Sequence, residues 1–182
     1  MAPVELGRAL LDAGATQRRR ARLMTHDLRD VPVDVDPRVV ALTASPEELE
    51  PSHIAAYRPD HPDYEIAQDQ TAIGKLLRGE LVGPLLGASR MAVHDGRIVG
   101  AAILNDFPGE PPSAGPWLSE LFRDPAVPGI GRELLRGALA AAAADGLVAL
   151  GLVVTGGNPA GELYLAEGFR EVRDDISVTL PG

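Results

Sequence analysis

The chain has no cysteine. Disulfides, thiolate nucleophiles and Cys-ligated metals are thereby excluded, and the composition is compatible with a reduced, cytoplasmic setting. Aromatic residues are scarce, with three Phe, three Tyr and one Trp in 182 residues. The core must therefore be built mostly from Leu, Val, Ile and Ala. No apolar run approaches the ~20 residues of a membrane-spanning helix. The Ala-rich stretch 139–144 is helix filler. The N-terminus, MAPVELGRALLDAG, has neither a long apolar h-region nor a basic flank, so no signal peptide is expected. Lys75 stands alone among 17 basic residues, which points to the codon usage of a high-GC bacterium and not to chemistry. His53, His61 and His94 show no metal-ligand spacing, and no metal is expected.

What is present is an apolar share of 45% over a length that suits one domain with a sizeable core. The net charge is −9. Such a surface disfavours nucleic acid, whose affinity comes from neutralised phosphates. It also opposes any anionic ligand, which would need local donors, and it attracts a cationic one.

Residues 117–123, WLSELFR, read as a strand ending at Asp124-Pro125. A turn carrying Gly129 and Gly131 follows, and then an amphipathic helix over 129–145. Its apolar face is Leu134, Leu135, Ala138, Leu139 and Ala142. Strand, glycine turn and helix N-terminus together can hold a phosphate, because free N–H groups at the helix start point at the anion. Two rivals fail. A dinucleotide fingerprint needs glycine where Leu134 stands, and a P-loop needs a Gly-Lys-Ser/Thr that is absent. The plainer reading makes Gly129 a turn residue and Gly131 a helix-packing glycine.

A second segment, NPAGELYLAEGF over 158–169, follows another apolar strand at 148–154. Asn158 reads as an N-cap, Pro159 as the first helical residue and Gly168 as the stop. Together the two segments resemble the GNAT superfamily of acyl-CoA-dependent N-acyltransferases. That family's phosphate turn has the form R/Q-x-x-G-x-G/A, and its last helix often reads N-P-A-x-x-L-Y-x-x-x-G-F. The likeness covers roughly residues 89–180. It departs at Ala126, where the family has Arg or Gln, and the turn is shorter than the common form.

The resemblance implies a mixed α/β fold, a mostly antiparallel sheet flanked by helices. It implies acetyl-CoA as co-substrate and transfer of its acetyl group to an amine, by direct attack in a ternary complex. The pyrophosphate donors would be backbone N–H groups from Val127 through Gly129, Ile130 and Gly131 to Arg132, without Pro128. Arg123 and Arg132 are the nearest cations, each either a phosphate partner or a solvated residue. Tyr164 would contact the cofactor and donate a proton to the departing thiolate; otherwise it packs on Phe169. Glu120 would be the base, directly or through a water; otherwise it is an outward-facing glutamate. Backbone near Leu121 and Phe122 would donate to the developing oxyanion. Asn158 would bond the pantetheine arm or merely cap its helix. The other function class is a catalytically silent acyl-CoA-binding regulatory module on the same fold, kept open by Ala126. The acceptor, the acyl length and the oligomeric state, a homodimer included, stay open.

The remaining organisation divides into an N-terminal extension at 1–37, a helix plus an extended linker packed on the domain, and the acetyltransferase-like domain at 38–182. A short helix is expected over 6–11. The basic cluster 17–22, QRRRAR, reads as a solvated helix or an arm paired with the protein's own acids. A first strand is expected over 39–43. Ser45-Pro46-Glu47-Glu48 starts a helix that carries Leu49 and Ile54 inward. Prolines break it over 57–64, where relatives form one wall of the acceptor pocket. Tyr57, His61 and Asp63 there either meet a polar substrate or sit on a solvated loop. A helix is predicted over 64–78. A hairpin follows, 91–93 and 97–104, around Asp95-Gly96, with Gly100 in its second strand. A loop spans 106–116, and one or two strands close the fold over 169–180.

Overall fold

The computed structural model describes residues 2–32, 34–69, 71–109 and 114–180. Its frame is one eight-stranded sheet in the order β1-β8-β2-β7-β6-β5-β4-β3. In chain order the strands are β1 (Ala2–Pro3), β2 (Thr16–Asp27), β3 (Val39–Ala41), β4 (Arg90–His94), β5 (Arg97–Phe107), β6 (Gly115–Arg123), β7 (Ala149–Thr155) and β8 (Arg170–Thr179). The helices are α1 (Val4–Asp12), α2 (Pro46–Ala56), α3 (Tyr64–Ala67), α4 (Ala72–Leu77), α5 (Ile130–Ala144) and α6 (Ala160–Ala166). The pairing is antiparallel throughout except between β6 and β7.

The hairpin forms at Asp95-Gly96, both at positive φ (49° and 75°), as a primed turn requires. Ser45 caps α2, and Glu48 completes the capping box with a 2.8 Å bond from the Ser45 N–H. The α5 face is buried at all five expected positions, packed on Ala102, Leu104 and Leu118 of the sheet or on Val99. On the opposite face α2 and α4 bring Leu49, Ile73 and Leu76 against Ala101, Ile103 and Phe122.

Three expectations change. Residues 16–27, placed by the sequence in a helix and linker, form a strand between β7 and β8. Ala21, Leu23 and Met24 are its buried residues, and its arginines meet the protein's own acids: Arg20 bonds Asp174, and Arg22 lies 3.7 Å from Glu171. Pairing over more than a hundred intervening residues leaves no local signal. The helix expected over 64–78 is two, α3 and α4, joined through Asp69 and Thr71. Ile54 is 59% exposed, because five residues from Leu49 put it on another side of α2, while Ser52 and His53 take the buried positions of that turn. Of the one or two strands expected over 169–180 the structure has one, β8, which lies between β1 and β2.

Two local irregularities open the sheet. Ile103 pairs with Glu120 and Leu104 with Leu118, so Ser119 is an extra residue in β6. Beyond it, β6 and β7 share a ladder only at Trp117 and Gly151, where the indole ring lies 2.7 Å from the position of a Gly151 Cβ. Only glycine lets the strands meet there. From that point toward their C-terminal ends the two strands part.

Candidate active site

The parting of β6 and β7 makes a cleft of about 480 Å³. Its floor is Leu118 to Arg123 of β6, facing Leu152, Val153 and Val154 of β7. One end reaches the glycine turn, the other the loop after α2.

At the turn, Asp124 accepts the Ala126 N–H through Oδ1 (2.9 Å) and the Val127 N–H through its carbonyl (3.1 Å). Gly129 takes φ +83°, the left-handed conformation, and starts α5. Its carbonyl accepts the Arg132 N–H at 3.0 Å. Among the described residues, the N–H groups of Gly129, Ile130 and Gly131 have no acceptor. Three free donors at the positive end of a 15-residue helix suit an anion. The Val127 and Ile130 side chains are buried in the core, so only backbone is offered there.

The two candidate cations differ. Arg123 is exposed, lies across Gly131 and bonds only the Asp124 carbonyl (3.3 Å). Arg132 is engaged by Glu167 at 3.0 Å, a carboxylate that Arg136 also holds at 2.7 Å. Arg123 is thus the open cation of the turn.

At the other end, Glu120 meets the hydroxyl of Tyr57, which donates to its Oε1. Burial pushes the Glu120 carboxyl up to about 7, and nearby Asp63 adds to this; the Tyr57 bond works against it. Tyr164 stands on α6, packed on Phe169 (ring centroids 5.5 Å apart), and lines the same cleft. Its hydroxyl has no protein partner among the described residues. Burial, then the charges of Glu120 and Asp63, raise its pKa well above a free phenol's. It therefore carries its proton at neutral pH. Phe122 is buried edge-on against His53 at 5.0 Å, and Leu121 turns toward α5; their backbone borders the cleft.

Asn158 does two things at once. Its Oδ1 accepts the Ala160 N–H (2.8 Å), capping α6, and its Nδ2 donates to Asp63 Oδ2 (2.9 Å). Asp63 Oδ1 takes the Thr155 hydroxyl at 2.5 Å, and that hydroxyl accepts Arg19 Nε at 2.9 Å. Sequence reasoning named Tyr57 and Asp63 only as an acceptor wall. Thr155 and His53 carried no signal, since their partners lie 92 or more residues away or across the cleft, and Arg19 was legible only as part of a basic cluster that could pair with the protein's own acids. Among the described residues no group could hold a metal ion, and no helix is long and apolar enough to cross a membrane.

No family model and no curated protein matches the chain. Solved structures do. A GCN5-related N-acetyltransferase from Sphaerobacter thermophilus superposes with a TM-score of 0.61 at 18% identity, over 98% of this chain and 57% of that one. The fold is that of the GCN5-related N-acetyltransferases. A second GNAT-fold neighbour, from Kribbella flavida, gives 0.58 at 20% identity over 97% and 64%. A third, a tandem GNAT protein from the clavulanic acid biosynthesis pathway solved without AcCoA, gives 0.60 at 16% over 97% and 59%. The chain thus spans about three fifths of the length of these GNAT structures.

Proposed function

We propose that the chain is an N-acetyltransferase that uses acetyl-CoA to acetylate an amine. The observation that carries this reading is a single cleft with free N–H donors at one end and a carboxyl–phenol pair, Glu120 and Tyr164, at the other. Acetyl-CoA supplies an activated thioester. The donor set fits its pyrophosphate: the amides of Gly129, Ile130 and Gly131, with Arg123 beside them. Each catalytic side chain then has one task. Glu120, with a pKa near neutrality, takes the proton from an ammonium or amine. Tyr164, protonated, gives one to the leaving sulfur. The β6 backbone near Leu121 and Phe122 faces the reacting carbonyl. With no cysteine in the chain, attack is direct, and the gain comes from proximity. An acidic protein of net charge −9 favours a cationic acceptor.

A second reading, acyl-CoA binding without turnover, is favoured by Ala126 and by the Glu167 hold on Arg132. Incubation with acetyl-CoA and a broad amine panel, reading released thiol, separates the two. Turnover supports the enzyme. Calorimetric binding with no thiol release supports the silent module.

A further inference from the structure

Tyr57 is the C-cap residue of α2, one turn after His53 and two residues before Pro59. Its ring is wedged between two imidazoles, His53 at 4.9 Å and His61 at 4.8 Å. His61 is itself fixed, its Nδ1 accepting the Asp63 N–H at 3.0 Å. These two ring contacts hold the phenol, and its hydroxyl reaches Glu120 Oε1. The other oxygen, Oε2, has no protein partner among the described residues.

We propose that Tyr57 is a positioning residue for Glu120: it pins Oε1, turns Oε2 to the acceptor, and favours the ionised carboxylate in a site that otherwise opposes it. This rests on the reading of Glu120 as the base. The proton leaving the acceptor nitrogen ends on Oε2, and Glu120 becomes neutral. Tyr57 keeps its own proton throughout, since burial and the facing carboxylates raise its pKa far above a free phenol's.

The groups facing Glu120 come from several elements. From α2 and its loop come Tyr57, His53, His61 and Asp63, and from α6 comes Tyr164. Arg19 of β2 acts through Asp63, 3.6 Å away. On β5 the ladder partner of Glu120 is the apolar Ile103. His53 is held neutral by burial, and Asp63 is already bonded on both oxygens. Among the described residues, Tyr57 is therefore the one neighbour that donates to the carboxylate itself.

The test is a ¹³C carboxyl titration of Glu120, assigned by its loss in Glu120→Gln, in the full chain. Tyr57→Phe removes the donor and keeps the ring; the midpoint should rise by roughly one pH unit. Site-specific 3-fluorotyrosine at position 57, a stronger donor, should lower it. The fluorinated protein decides the matter alone if the Phe variant does not fold. Unmoved midpoints overturn the proposal, whatever happens to turnover. Full turnover by Glu120→Gln instead overturns the reading of Glu120 as base, and leaves the titration result intact.

Discussion

Asp63 accepts a 2.9 Å hydrogen bond from the side-chain amide of Asn158. The loop after α2 is thereby tied across the cleft to the start of α6, the helix that carries Tyr164. The same carboxylate takes the Thr155 hydroxyl at the end of β7. Asp63→Ala leaves two part-buried donors without their acceptor. The loss should be about 1–3 kcal/mol, seen as a melting temperature lower by roughly 3–10 °C. An unchanged melting curve would show that the joint adds nothing net to stability.

The glycine turn can be tested by volume and by charge. A Cβ at Gly131 would stand 3.3 Å from Arg123 Cδ, a contact that the flexible arginine can relieve. Gly131→Val should therefore fold, yet lose acetyl-CoA binding by calorimetry, because its branches cover the free amides. Arg123→Ala should weaken binding and flatten its salt dependence, whereas Arg132→Ala should leave both nearly unchanged, since Arg132 already serves Glu167. Wild-type affinity in Gly131→Val would sink the anion cradle.

Glu120 links stability to pH. Its carboxyl is raised from 4.5 to about 7 in the fold. Between those values the native state holds a proton that the unfolded chain has lost. Stability must therefore fall as pH rises through this window. Glu120→Gln escapes the loss, so its stability relative to wild type should increase from about pH 4.5 to about pH 8 in urea unfolding. A constant difference across that range would show that Glu120 ionises normally.

Tyr164→Phe keeps the ring packed on Phe169 and removes the proton. Acetyl-CoA affinity should hold, while kcat with a good acceptor falls roughly 10²-fold. Full activity would make Tyr164 structural and send the search for the acid elsewhere.

Much of this was legible in the sequence because the signals are local. Apolar spacing in α5, Ser45 with Glu48, Asp95-Gly96 and the NPA segment each specify backbone geometry within a few residues of themselves. They place the strands and helices of the C-terminal two thirds, and they put Glu120, the glycine turn and Tyr164 on consecutive elements. The partners of those residues were not legible. Arg19 lies 136 residues from Thr155, Asp63 lies 95 from Asn158, and Tyr57 lies 63 from Glu120. A run of arginines reads in isolation as a solvated helix or an arm paired with the protein's own acids; β2 becomes a strand inside the sheet only because acids of β8 and the apolar faces of Ala21, Leu23 and Met24 find partners across it. Local propensity decided which elements exist. Only the tertiary structure, by bringing charges and hydrogen-bond partners distant in the chain into one cleft, decided which carboxylate is raised, which arginine is free and which tyrosine bonds that carboxylate.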